Sequence, residues 1–164
     1  MAPQPRPARR RITIERVFPV PIEPVWELWT TRDGIESWWG PDGFVVKVRK
    51  LEVRRGGELL YDMTAIAPDQ IAFMKKAGMP LTTPSRVTYV EVVPMKRLAF
   101  TQIADFIPGV TPYEVAHAVD FETTPRGVRM VLTLDAMHDE RWTKLAVMGW
   151  ENEFDKLGRL LKPV

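Results

Sequence analysis

The sequence predicts an α+β fold in which a run of antiparallel strands is closed by one long C-terminal helix. Three observations carry this expectation. Apolar residues recur with a period of two in six segments between Phe44 and Asp135. The last segment, Asp139 to Leu161, instead sets Thr143, Val147, Trp150, Phe154, Leu157 and Leu161 on one helical stripe, with Lys144, Met148, Asn152, Asp155 and Arg159 mostly opposite. Between the first strand and the other six, Pro24 and Asp33 mark the starts of two short helices. Sequential strands followed by a single helix pack as two layers, with the helix stripe against the concave face of a bent sheet.

Taken in order, Arg11 to Phe18 alternates as a first strand, and Pro19 and Pro21 end it. Val25, Trp26, Leu28 and Trp29 follow at helical spacing behind Pro24. The second short helix, with Asp33 as its expected N-cap, carries Ile35, Trp38 and Trp39 and stops at Gly40-Pro41-Asp42-Gly43. Adjacent residues of a helix point about 100° apart, so the paired tryptophans cannot both enter a core along one direction while the helix continues. From Phe44 the period is two: Phe44, Val46 and Val48 share a face, then Leu51 and Val53 take the opposite parity. That switch predicts a bulge near Arg49-Lys50, which bends the sheet. After a Gly56-Gly57 turn, Leu59, Tyr61 and Met63 form an inward face. Arg86–Val93 pairs with Arg97–Ala104 across a turn at Pro94, and Tyr113–Phe121 pairs with Gly127–Asp135 across Thr124-Pro125-Arg126. In the last pair, Tyr113, Val115, His117, Val119 and Phe121 share one face, as do Val128, Met130, Leu132 and Leu134.

Composition bounds the function classes. With 164 residues, 45% apolar and 27% charged, the chain fits one globular domain that buries a core without staples. It has no Cys, so disulfides, thiolate catalysis and zinc–thiolate sites are excluded, and a reducing cytoplasmic location is expected. No apolar run is long enough to span a bilayer, and the charged start MAPQPRPARRR has no hydrophobic segment behind it, so no secretory signal is expected. Residues 1–10, with Pro3, Pro5, Pro7 and clustered arginines, read as a disordered basic arm preceding a domain over 11–164. Four of the 23 Lys and Arg lie in residues 1–11, which hold no acid. The remainder therefore carries 19 basic against 21 acidic groups. A nucleic-acid-binding domain needs a basic face on its folded part, and none is expected here.

The pieces that follow are similar to a known family. They are Arg16-Val17-Phe18, Val25-Trp26-Glu27-Leu28-Trp29-Thr30, Trp38-Trp39-Gly40-Pro41-Asp42-Gly43-Phe44, Arg55-Gly56-Gly57, Val92 to Thr101, and Gly149-Trp150 with Leu157 and Leu160. In this order, over about residues 15 to 161, the chain resembles the START-like, helix-grip superfamily (also called SRPBCC). Within it, the chain resembles the bacterial family similar to the C-terminal domain of the activator of the ninety-kilodalton heat-shock chaperone's ATPase. The resemblance implies a seven-stranded antiparallel sheet gripping the last helix with a cavity between them, and no shared catalytic motif. Members include ligand carriers, cyclases and stress-response proteins. Relatives have a shorter connection where this chain carries residues 67–81. That stretch reads as a small helix with Asp69 as its cap, Lys75 and Lys76 at its end and Gly78 at C′. Its Phe73, Met74 and Met79 make it a candidate lid.

Chemistry-bearing residues are few. The two histidines, His117 and His138, are too scattered to suggest a metal site, no phosphate loop is present, and no cofactor is expected. His138 lies near the start of the long helix as an exposed structural residue. His117 shares its inward face with Val115 and Val119, either as a buried neutral imidazole with one hydrogen bond or as a ligand or proton-transfer group. Glu153 falls about 60° from Trp150 on the helical wheel, at the edge of the stripe, where it either emerges at the rim, the favoured position, or turns into the pocket. His117 and Glu153 are the candidate catalytic pair. Trp39, Tyr61, Met63, Phe100, Tyr113, His117, Met130, Leu132, Trp150 and Phe154 form the candidate ligand-binding set, compatible with a lined cavity or a filled core. Three readings follow: a carrier of a small apolar or aromatic molecule, an enzyme of the cyclase or hydrolase kind, and a co-chaperone-like interaction module. Leu145 and Met148, off the main stripe, would serve a partner or homodimer surface in the third.

Overall fold

The computed structural model describes residues 10–105 and 107–162. Except for Arg10, the expected N-terminal arm lies outside them. Arg10 accepts a backbone hydrogen bond from Ala136 (2.7 Å) and pairs with Glu140.

The chain runs β1 (Arg11–Phe18), α1 (Ile22–Thr30), α2 (Arg32–Trp38), β2 (Phe44–Leu51), β3 (Glu58–Ala65), α3 (Pro68–Lys76), β4 (Thr82–Val93), β5 (Arg97–Ala104), β6 (Tyr113–Thr124), β7 (Gly127–Asp135) and α4 (Glu140–Leu160). The seven strands form one antiparallel sheet in the order β1-β7-β6-β5-β4-β3-β2. Apart from β1, every strand lies beside the next in sequence. The α1–α2 pair carries the chain from the β1 edge to the β2 edge, and α4 packs along the inner face. This is the expected helix-grip layout.

Two bulges curve the sheet. One is the predicted slip in β2 between Val48 and Lys50. The other, in β4 between Tyr89 and Glu91, turns Val90 out to solvent, at a point where Tyr89 exchanges backbone hydrogen bonds with Gly56 and Gly57. A bulge adds one residue to one strand and increases local twist, so the two bulges bend neighbouring parts of the sheet around α4.

Several boundaries differ from the sequence expectation. Helix α1 begins at Ile22 with Pro21 as its N-cap, so Pro24 lies inside its first turn, and β6 runs on to Thr124 instead of ending at Phe121. Strand β4 begins at Thr82 instead of Arg86. Its pairing with β5 starts only at Val87, so Pro84 needs no ladder partner on that side. The N-cap of α2 is Thr31, whose hydroxyl accepts the Gly34 N–H at 3.0 Å, and Asp33 sits in the first turn. Helix α3, unlike α2, has no side-chain cap; Pro68 starts it and Asp69, its expected cap, follows within the first turn, where its charge suits the helix dipole. Its other end matches the sequence reading. Gly78 (φ +69°) stands at C′, with the Gly78 N–H on the Lys75 carbonyl and the Met79 N–H on the Met74 carbonyl.

The core answers the question of the adjacent tryptophans. Trp38 ends α2, and Trp39 is extended (φ −68°, ψ 138°). The backbone changes direction between them, and both rings turn inward, to 0% and 5% exposure. Trp38 donates to the Leu28 carbonyl at 2.8 Å, which ties α2 to α1. The two rings join Trp29 of α1 and Trp150 of α4, with centroids of 4.7 Å for Trp29–Trp38 and 5.4 Å for Trp39–Trp150. Such edge and tilted pairs add to the burial energy of the rings. Trp29 Nε1 is buried without a hydrogen-bond acceptor among the described residues, surrounded by these rings.

Candidate functional site

The inner face of the sheet is filled at one end and hollow at the other. Phe100 of β5, Met130 and Leu132 of β7, and Phe154 of α4 are all at most 2% exposed and belong to the packed end. Of the two possibilities for the candidate set, a lined cavity or a filled core, these four take the second and do not line the cavity at the hollow end. Along each strand the lining shifts toward the opposite end: Val115 and His117 at the start of β6, Gln102 near the end of β5, Leu134 near the end of β7. The N-terminal half of α4 closes the other side. The result is a cavity of about 200 Å³, lined by five of the expected residues: Trp39, Tyr61, Met63, His117 and Trp150. Tyr113 stands outside it; its hydroxyl is engaged with His138 Nδ1 at 2.8 Å.

Helix α4 leaves the space by omission. Gly149 faces the cavity in mid-helix, and a Cβ built on it meets nothing within 4 Å. Glycine costs an exposed helix interior about 1 kcal/mol against alanine. The helix gives up that stability at the position where a side chain would fill the hollow.

The connection through α3 supplies part of the wall. Met74 and Met79 are buried, line the cavity and pack with Ala65. Phe73, the third candidate lid residue, is 40% exposed and points away.

Glu153 is not at the rim, as the helical wheel suggested. It is 8% exposed, lines the cavity, and its Oε1 accepts the Gly40 N–H at 2.5 Å. The wheel could not show that the Gly40–Gly43 loop would fold over that edge of α4. Three further bonds fix the loop there: Lys156 Nζ to the Gly40 carbonyl (2.8 Å), Asp42 N–H to Asn152 Oδ1 (2.5 Å), and Asn152 Nδ2 to Asp42 Oδ2 (2.8 Å). Residues 152, 153 and 156 lie on one side of the helix, so α4 clamps the loop that follows the two tryptophans. Burial pushes the Glu153 carboxyl up to about 8, against the smaller opposing effects of the Gly40 N–H and the Lys156 charge. At neutral pH it is mostly an uncharged acid.

His117 lies flat on Phe100 (centroids 5.0 Å, planes 7° apart) and 5.5 Å from the Trp150 ring. Its Nδ1 sits 3.0 Å from the Val115 carbonyl. Burial holds its pKa down at about 4, with the Val115 carbonyl opposing. The neutral ring therefore carries its proton on Nδ1, facing the carbonyl, and Nε2 is a bare acceptor. No hydrogen bond or ion pair joins His117 to Glu153, although both line the cavity.

Sequence reasoning missed Gln102, Thr83 and Ser85. Gln102 Nε2 donates to the Tyr61 hydroxyl at 2.7 Å across the cavity wall. Burial pushes that phenol up to about 12, beyond what Trp39, Ser85 and Gln102 offset. The signal was present in the parity: Gln102 alternates with Phe100 and Ala104, and Thr83 and Ser85 with Val87 and Tyr89. Polar residues on an otherwise inward face mark the end of the sheet that the core does not fill. Among the described residues, no group of three or more His, Cys, Asp or Glu could hold a metal, and no helix is long and apolar enough to cross a membrane. Leu145 is half-buried and Met148 is exposed.

Comparison with known proteins agrees with this architecture. Solved structures share it across nearly the whole chain. A protein from Chromobacterium violaceum is 22% identical, with a TM-score of 0.77 over 94% of this chain and 98% of that one. The AHSA1 protein from Silicibacter pomeroyi is 20% identical, with a TM-score of 0.71 over 93% and 97%. The AHSA1-like protein from Aeromonas hydrophila is 21% identical, with a TM-score of 0.68 over 92% and 90%. None of the curated proteins matches the sequence. The family model for Activator of Hsp90 ATPase homolog 1-like protein matches residues 19–162, and the chain belongs to that family.

Proposed function

We propose that this protein binds a small, uncharged apolar molecule, about one aromatic ring in size, in the cavity between α4 and the sheet. The observation that carries the reading is Gly149: α4 gives up helix stability where a side chain would close the hollow, and Trp39, Met63, Met74, Met79 and Trp150 supply an apolar, adaptable wall. Size sets the ligand class. An engineered cavity of about 150 Å³ accepts benzene, so about 200 Å³ suits one ring with a small substituent and cannot enclose a flavonoid or a fatty acyl chain, most of which would stay in solvent at the mouth.

Binding is favoured over catalysis by the state of the two titratable lining groups. His117, held at about 4, is too weak a base for proton abstraction near neutral pH, and Glu153 is committed to Gly40. The test is an amide and indole correlation NMR titration with toluene, naphthalene, a flavonoid and a fatty acid. Toluene is expected to shift the Trp39 and Trp150 indole signals and the Gly149 amide, and the two large molecules to leave them in place. Silence of those signals with every molecule would overturn the reading.

A further inference from the structure

The cavity has a polar feature that a purely apolar ligand leaves unused. His117 Nδ1 is turned back to its own strand, the ring is fixed by stacking on Phe100, and the ring lines the cavity. Nε2 has no protein partner among the described residues. Nε2 is not among the fully buried atoms that lack a partner, so it can be reached from the cavity, where a ligand donor can meet it.

The other polar groups restrict what that ligand is. The Tyr61 hydroxyl oxygen accepts from Gln102 and Glu153 Oε1 from the Gly40 N–H; the Thr83 and Ser85 hydroxyls complete the polar lining. No lysine or arginine lines the cavity among the described residues, and the Lys156 ammonium is engaged with the Gly40 carbonyl. An anionic ligand would be buried without a counter-charge, which is strongly unfavourable. A cation would meet no carboxylate but Glu153, itself held neutral by its surroundings.

We propose that the cavity selects neutral single-ring molecules bearing a hydroxyl group, with His117 Nε2 accepting the ligand O–H. This rests on the reading of the cavity as a ligand site and adds to it the class of ligand. Phenol is the minimal member: its ring fits the apolar wall, and its one donor meets the bare Nε2. His117 is then a specificity-determining residue held in place by Val115 and Phe100.

The test compares four probes of similar size on the purified full chain by calorimetric or NMR titration: phenol, anisole, toluene and benzoate. Phenol is expected to bind about tenfold more tightly than anisole, which has the oxygen but no donor. Benzoate is expected not to bind. His117→Phe keeps a ring on Phe100 and removes the acceptor; it is expected to reverse the order of phenol and anisole. Should that variant not fold, the wild-type ¹⁵N signal of His117 Nε2 decides: it moves on phenol addition and not on anisole addition. Equal affinities for phenol and anisole, a preference that survives His117→Phe, or an unmoved Nε2 signal in a phenol complex would overturn the hydroxyl selection while leaving the cavity reading intact. Failure of toluene, anisole and phenol alike would overturn both.

Discussion

Replacing Glu153 with Gln tests the electrostatics of the site through stability. An exposed carboxyl titrates at 4.5, and Glu153 is pushed up to about 8 by burial. A raised carboxyl contributes stability that is fully present below the unfolded pKa and is lost as pH climbs toward the folded one. His117 works in the opposite direction. Its ordinary 6.5 is lowered to about 4, so its contribution is lost as pH falls from 6.5 toward 4. Each acts with about 1.4 kcal/mol per pH unit inside its window. Between pH 4.5 and 6.5 the two slopes cancel, each being worth about 2 kcal/mol. From pH 6.5 to 8.5 only Glu153 acts, and stability falls by about 2 kcal/mol. Tyr61, which also lines the cavity, does not disturb this: burial pushes it up to about 12, so it stays neutral. The variant Glu153→Gln retains an oxygen for the Gly40 N–H and cannot ionise. Its stability is expected to rise by about 2 kcal/mol from pH 4.5 to 6.5 and then stay level. Urea unfolding followed by tryptophan fluorescence at a series of pH values reads both curves. If the wild type holds its stability to pH 8.5, or if the variant is the less stable of the two there, Glu153 is a charged partner of Gly40 and the account of a neutral acid is wrong.

Two further perturbations address the frame of the site. Gly127 (φ +121°) closes the β6–β7 hairpin against the end of β1, and a Cβ there would lie 2.0 Å from the Phe18 carbonyl oxygen. Gly127→Ala should therefore cost at least about 2 kcal/mol in urea unfolding, and a loss below about 0.5 kcal/mol would show that the hairpin moves freely. Phe154→Ala at the packed end should cost about 3–5 kcal/mol, whereas Phe73→Ala, on the exposed side of α3, should stay within about 0.5 kcal/mol; equal losses would contradict the burial of Phe154 and the exposure of Phe73.

The framework was legible because its signals are periodic. Strand β5 and strand β7 begin and end where alternation placed them, the slip in β2 follows from the parity change between Val48 and Leu51, and the α4 stripe buries Thr143, Trp150, Phe154 and Leu157 as the wheel required. The site was legible only in part. Parity says that Phe100, His117, Met130 and Leu132 face inward, yet it does not say at which end of the sheet the space remains. That is decided by where Gly149 falls against the strands, a tertiary relation. Glu153 was misplaced for the same reason. Its burial depends on the Gly40–Gly43 loop, more than a hundred residues earlier in the chain. Asp33 was misread because the short helices share Thr31, which closes α1 and caps α2 at once.

The central claim is that the hollow beside Gly149 is a ligand site and not a packing defect. Its most direct test is the affinity of toluene for the wild type and for Gly149→Leu, measured by NMR titration alongside urea unfolding. The new side chain enters open space on a helix that leucine favours by about 1 kcal/mol over glycine. The account predicts a folded, more stable variant whose affinity for toluene has dropped by more than about tenfold. Undiminished binding by a folded Gly149→Leu, or no binding by the wild type, would contradict it.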